Sequence, residues 1–254
     1  MKWPTTRCDW ALLHQRTLYS FDARERMCAV RDPAAGEAPG FHFVRTLHGN
    51  VWRFHRDLEE ASCKALARLA AREGPLSAGA PPWPPPQRLA AMLSVLGESD
   101  PSPTLWRGPL YHFAPAGGEA LRQDGPAGSL LSIEPADREA VARLASVLPT
   151  LAAEIVERQP CLAALANGAV ASVCCSATDP SGPAIEASVQ TLPGHRGSGL
   201  AGACVAGWAA SVYAKGKIPL YSTTWRNRAS RSVARKLDLQ LYGESLHAMQ
   251  PGGA

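Results

Sequence analysis

Between Ala184 and Lys215 the chain changes character twice. Ala184 to Thr191 is apolar with strand-like alternation, Leu192 to Ser198 is a turn, and Gly199 to Lys215 reads as a helix opened by small residues. A strand that runs through a glycine turn into a helix delivers the helix N-terminus to the strand's end. There the first amides have no intrahelical acceptor and the helix dipole is positive. Glycines at 197 and 199 carry no Cβ, so an anion can approach the backbone closely. The spacing excludes two common nucleotide loops. No Lys-Ser or Lys-Thr follows the glycines, and the third glycine and later acidic residue of the dinucleotide fingerprint are missing.

The rest of the chain organises around that segment. Gly74 to Pro86 is dense in proline and glycine and fits neither helix nor central strand. A looser stretch from Pro115 to Gly128 suggests a boundary, giving a smaller α+β region at 1–127 and a larger α/β region at 128–254. In the first, Phe41–Thr46 and Val51–Phe54 form a hairpin candidate, Asp57–Arg72 and Arg88–Leu96 read as helices, and Leu110–Phe113 as a strand. In the second, the expected order is a helix over 135–158, strands at 169–178 and 184–191, and the helix from Gly199. A strand at 218–224, a helix at 228–237 and a strand near 239–243 follow. The helices flank a mixed sheet.

Composition narrows the function. The chain has 254 residues, a net charge of +4 and 46% hydrophobic residues, enough for a large core and against a disordered chain. No run approaches the ~20 apolar residues that span a bilayer, and the start lacks a secretory apolar core, which points to a cytoplasmic protein without a membrane partner. The seven cysteines are scattered without metal-site spacing, so reduced thiols and no metal are expected; Cys174 and Cys175 fall on opposite faces of a strand. His42, His48, His55 and His112 likewise form no ligand set and read as surface or hairpin positions. From Ala187 onward the charge is +6 and before it −2, so the basic third surrounds the glycine turn. That suits an anionic ligand, though a solvated face has the same composition. No nucleic-acid motif accompanies it.

The turn reads Arg-x-x-Gly-x-Ala at Arg196, Gly199 and Ala201. It resembles the signature of the GNAT superfamily of acyl-CoA-dependent N-acyltransferases. Ala184 to Pro193 looks like that family's preceding strand, and Pro219 to Ser230 with Val233 to Leu237 like its next strand, Asn and helix. Gly108-Pro109-Leu110-Tyr111 is similar to a stretch in the N-terminal half of a bacterial subgroup. The resemblance implies acetyl-CoA as co-substrate, an amine acceptor and a GNAT-like mixed sheet. Val189, Gln190 and Thr191 would offer backbone groups to the pantetheine arm. Arg196, Gly197, Ser198, Gly199, Leu200, Ala201 and Gly202 would hold the pyrophosphate, and Asn227 would contact the coenzyme or cap its helix.

Amine attack on a thioester needs a base for the ammonium. Alternation sets Ile185, Ala187 and Val189 on one face and Glu186, Ser188 and Gln190 on the other, which makes Glu186 the candidate base. Many relatives place a general-acid Tyr seven residues after the Asn; position 234 here is Ala, and Tyr221 and Ser230 are the nearest hydroxyls. Asp238 stands where a helix-ending Gly is usual, a place Asp tolerates. The expectation is an acetyltransferase acting on a small-molecule amine, as monomer or homodimer. A protein N-acetyltransferase and a coenzyme-binding sensor without turnover are the alternatives.

Overall fold

The structure is a computed structural model that describes residues 3–33, 36–97, 105–114 and 130–248. Its centre is a nine-stranded mixed sheet, whose strands in chain order are β3 (Phe41–Thr46), β4 (Gly49–Phe54), β5 (Leu105–His112), β6 (Leu130–Ser132), β7 (Cys161–Ala166), β8 (Ala169–Ser176), β9 (Ala184–Thr191), β10 (Ile218–Ser222) and β11 (Gln240–Ala248). Across the sheet they run β4-β3-β11-β5-β10-β9-β8-β7-β6. A two-stranded ribbon, β1 (Tyr19–Phe21) and β2 (Met27–Val30), lies apart. β5, from the N-terminal region, inserts antiparallel between β10 and β11, so both regions build one sheet. Gly108 permits this insertion: a Cβ there would stand 1.7 Å from the Thr223 carbonyl oxygen.

Helices cover both faces. α1 (Arg7–Leu18), α4 (Arg138–Ala145) and α5 (Pro149–Ala153) lie on one. α2 (Glu60–Arg72), α3 (Leu89–Val95), α6 (Leu200–Ala214) and α7 (Arg228–Lys236) lie on the other. Cys174 packs into the core under α6 and Cys175 into the core under α4 and α5, the opposite faces that strand alternation requires. Asp238 takes the left-handed conformation at φ 49° that ends α7. No helix among the described residues is long and apolar enough to cross a membrane.

Three expectations need correcting. The helix anticipated over 135–158 is two helices, because Pro149 lacks an N–H and its ring clashes with a preceding carbonyl. β7 and α1 were not anticipated at all. His42 and His55 are buried rather than at the surface: His42 lies on β3, which is paired on both sides and covered on both faces, and His55, just past β4, bridges to Met27 of β2. The proposed boundary near Pro115 to Gly128 lies outside the described residues except at Ala114 and Leu130 on its flanks.

Candidate active site

At the end of β9 the chain makes one 3₁₀ turn, Pro193–His195, before α6. Gly197 and Gly199 both adopt left-handed backbone, with φ of 83° and 86°, and Gly199 is the residue that caps α6. No side chain accepts a hydrogen bond at this cap, so the amides of Leu200, Ala201 and Gly202 open toward the turn. Space is available as well: a Cβ at Gly197 or Gly202 would meet nothing within 4 Å. Arg196, Gly197 and Ser198 are exposed, while Leu200 anchors the helix start in the core. The Ser198 hydroxyl donates to the His195 carbonyl at 2.5 Å and braces the turn. This is an anion cradle of backbone donors, and it fits a pyrophosphate.

The adjoining strand changes partners in mid-course. Ala184, Ile185 and Glu186 pair in parallel with Ile218, Pro219 and Leu220 of β10; from Ala187 to Thr191 the pairing is with β8 alone. The two central strands therefore splay immediately after Glu186. Ala177 N–H donates to the Glu186 carbonyl at 2.8 Å and Leu192 N–H to the Ala171 carbonyl at 2.9 Å, so even-numbered residues turn their backbone toward β8. Alternation then leaves the N–H and C=O of Ala187, Val189 and Thr191 facing the opening. The Gln190 carbonyl is engaged by the Ser172 hydroxyl at 3.1 Å, so what Gln190 offers the open side is its side chain.

Three carboxylates are buried among the described residues: Glu73, Glu186 and Glu244. Two face arginines. Glu244 lies 2.5 Å from Arg45 and 2.6 Å from Arg107 and accepts from Trp225 Nε1 at 2.5 Å; Glu73 lies 3.7 Å from Arg45 and 3.6 Å from Arg88. Glu186, 4% exposed, has only His14 of α1, with Nε2 3.0 Å from Oε2. Among the described residues no guanidinium engages its carboxylate.

Beyond Glu186 on the same face, Ser188 and Gln190 open into a cavity of about 440 Å³. Its other walls are the α4–α5 junction (Val147 to Leu151), Cys175 and Val173 of β8, and Asp32 from the N-terminal region. Arg158 forms the floor, 2.8 Å from Asp32 and 2.7 Å from Glu154, and joins the two regions. On the other face, the Tyr221 and Ser230 hydroxyls meet at 2.5 Å between β10 and the first turn of α7. Burial pushes the Tyr221 phenol up, so it stays protonated at neutral pH. Asn227 caps α7, its side-chain oxygen accepting from Ser230 N–H at 3.0 Å. Trp208 is a core residue and Trp225 belongs to the Glu244 network.

Sequence reasoning missed His14, Asp32 and Arg158. A signal existed for the first: Thr6 and Asp9 form a reciprocal capping box that marks the start of α1.

Residues 161–244 match the profile of the GNAT acetyltransferase family. No curated protein matches the chain in sequence. Among solved structures it is similar to a GCN5-related N-acetyltransferase-like protein from Streptococcus suis, at 21% identity over 57% of this chain and 61% of that one, with a TM-score of 0.43. It is also similar to an acetyltransferase from the GNAT family from Colwellia psychrerythraea, at 10% identity, 90% and 84% coverage and a TM-score of 0.46. A third is yncA of Salmonella typhimurium with its cofactor acetyl-CoA, at 17% identity, 51% and 98% coverage and a TM-score of 0.35.

Proposed function

We propose that this chain, whose residues 161–244 match the GNAT acetyltransferase family, transfers an acetyl group from acetyl-CoA to the primary amine of a small molecule. The observation that carries the reading is the exchange of strand partners at Glu186, directly upstream of the glycine cradle. It supplies, along one strand, a base, a row of free backbone groups and an anion site.

Acetyl-CoA brings the acyl carbonyl as a thioester that an uncharged amine attacks directly. The amides of Leu200, Ala201 and Gly202, with the α6 dipole behind them, hold the diphosphate, and the open side at Gly197 admits it. Arg196 and Ser198 line the same turn. Val189 and Thr191 align the pantetheine amides by strand-like hydrogen bonds, and an N–H of the same row polarises the acyl carbonyl. Asn227 keeps its amide nitrogen for the coenzyme while its oxygen caps α7. Glu186 takes the ammonium proton, directly or through one water. The departing thiolate recovers a proton from the Tyr221–Ser230 pair. A cavity of about 440 Å³ suits a small acceptor, and Asp32 and Glu154, sharing the single Arg158 guanidinium, leave its lining with one net negative charge toward an ammonium.

The test is thiol release from acetyl-CoA with a panel of amines, the product identified by mass spectrometry. The wild-type protein acetylates at least one amine, and Glu186→Gln lowers kcat by about 10²–10⁴-fold. Wild-type kcat in that variant removes Glu186 as the base. Absence of thiol release from the wild type with every amine defeats the acyltransfer reading and leaves coenzyme binding alone.

A further inference from the structure

Helix α1 lies outside the segment that matches the family, yet it delivers a buried imidazole to the proposed base. His14 is fully buried. Its Nδ1 is hydrogen-bonded to the hydroxyl of Tyr242 on β11, and its Nε2 stands 3.0 Å from Glu186 Oε2. The second contact is close but out of line: neither Nε2 nor Oε2 has a hydrogen-bond partner. Two unsatisfied polar atoms thus face each other in the core, where small ring rotation converts proximity into a bond. The remaining titratable groups coupled to this pair are His42 on β3 and Tyr221 on β10, and no arginine or lysine contacts either member among the described residues.

We infer that His14 is a positioning residue for Glu186, which makes α1 part of the acyl-transfer site. The inference rests on the reading of Glu186 as the base. A Tyr242 hydroxyl that donates to Nδ1 leaves the imidazole hydrogen on Nε2, directed at the carboxylate. That hydrogen selects one orientation of the carboxyl group and occupies Oε2, so the other oxygen serves the amine. The helix itself is firmly placed. Trp10 stacks on the His112 ring at 3.8 Å between centroids, and Arg7 donates to the Leu241 carbonyl at 2.9 Å. The imidazole that faces Glu186 is therefore carried by a helix fixed on β5 and β11.

The experiment uses the geometry of two amides: the terminal nitrogen of Gln superposes on Nε2 of His, and that of Asn on Nδ1. In the full chain, His14→Asn keeps a polar amide within reach of the Tyr242 hydroxyl and loses the donor at Glu186; His14→Gln keeps a donor at Glu186 and loses the partner of Tyr242. The inference predicts that His14→Asn lowers kcat by about 10–100-fold with KM for acetyl-CoA unchanged, while His14→Gln stays within about threefold of wild type. His14→Asn added to Glu186→Gln costs nothing further. Tyr242→Phe, a change of one hydroxyl, lowers kcat in the same direction and serves if His14→Asn does not fold. Equal losses in the Asn and Gln variants that follow their melting temperatures, or an unchanged kcat in His14→Asn or Tyr242→Phe, overturn the inference. In that event an inactive Glu186→Gln leaves the reading of the base standing. A wild-type protein that releases no thiol overturns both.

Discussion

Gly199 and Gly216 cap the two ends of the same helix, and both are left-handed, with φ of 86° and 68°. An alanine at either position therefore meets the same backbone penalty, about 1–2 kcal/mol. In a chain of this size that lowers the melting temperature by about 2–8 °C. Their chemical settings differ. Gly216 terminates α6, donating to the Tyr213 carbonyl at 2.8 Å, and its Cβ position is open. Gly199 sets the direction of the amides of Leu200 to Gly202. Relief of strain at 199 turns at least one of those amides away from a bound diphosphate, and a hydrogen bond to a charged group contributes about 1.5–3 kcal/mol. Gly199→Ala should weaken acetyl-CoA binding by about 10–150-fold, and Gly216→Ala should leave it unchanged. Calorimetric titration of both variants, with thermal unfolding of each, measures the two quantities separately. Equal affinities in the two variants, whether both retained or both lost, would refute the assignment of the cradle.

Two other outcomes follow from the geometry. Ser188→Trp fills the cavity beside β9 from an exposed position, so KM for the amine should rise at least tenfold while affinity for acetyl-CoA holds; steady-state kinetics with each substrate varied decides it. His42 is buried, and burial first, then His247 and His14, pushes its pKa well below the ordinary value. The unfolded chain protonates this residue below about pH 6.5 and the folded one does not, so stability present above that pH is lost on acidification, at up to about 1.4 kcal/mol per pH unit. Urea unfolding between about pH 7.5 and about pH 5 should show a shallower pH slope for His42→Gln than for wild type, and equal slopes would refute this.

The cradle was legible because three local signals agree there: period-two alternation in β9, paired glycines, and small residues opening α6. The face of Glu186 followed from the same alternation. What escaped notice did so for physical reasons. β7 is Cys-Leu-Ala-Ala-Leu-Ala, which favours helix by local propensity; Pro160 before it and strands on either side hold it extended. α1 buries His14, Gln15 and Thr17 beside Trp10 and Ala11, so its core-facing side is not an apolar stripe. The cavity joins Asp32, Arg158 and Ser188, far apart in sequence, through tertiary packing alone. The strand, turn and helix geometry of the second half was therefore readable, and the contribution of the N-terminal region was not.

The central claim is that the turn from Arg196 to Gly202 binds an acyl-coenzyme and that Glu186 acts on it with an amine. Calorimetric titration with acetyl-CoA, followed in the same samples by thiol release on adding amines, tests it most directly. The account predicts one site per chain with Kd between about 1 μM and 1 mM, and thiol release that needs both the amine and Glu186. No heat of binding at about 1 mM coenzyme would contradict it.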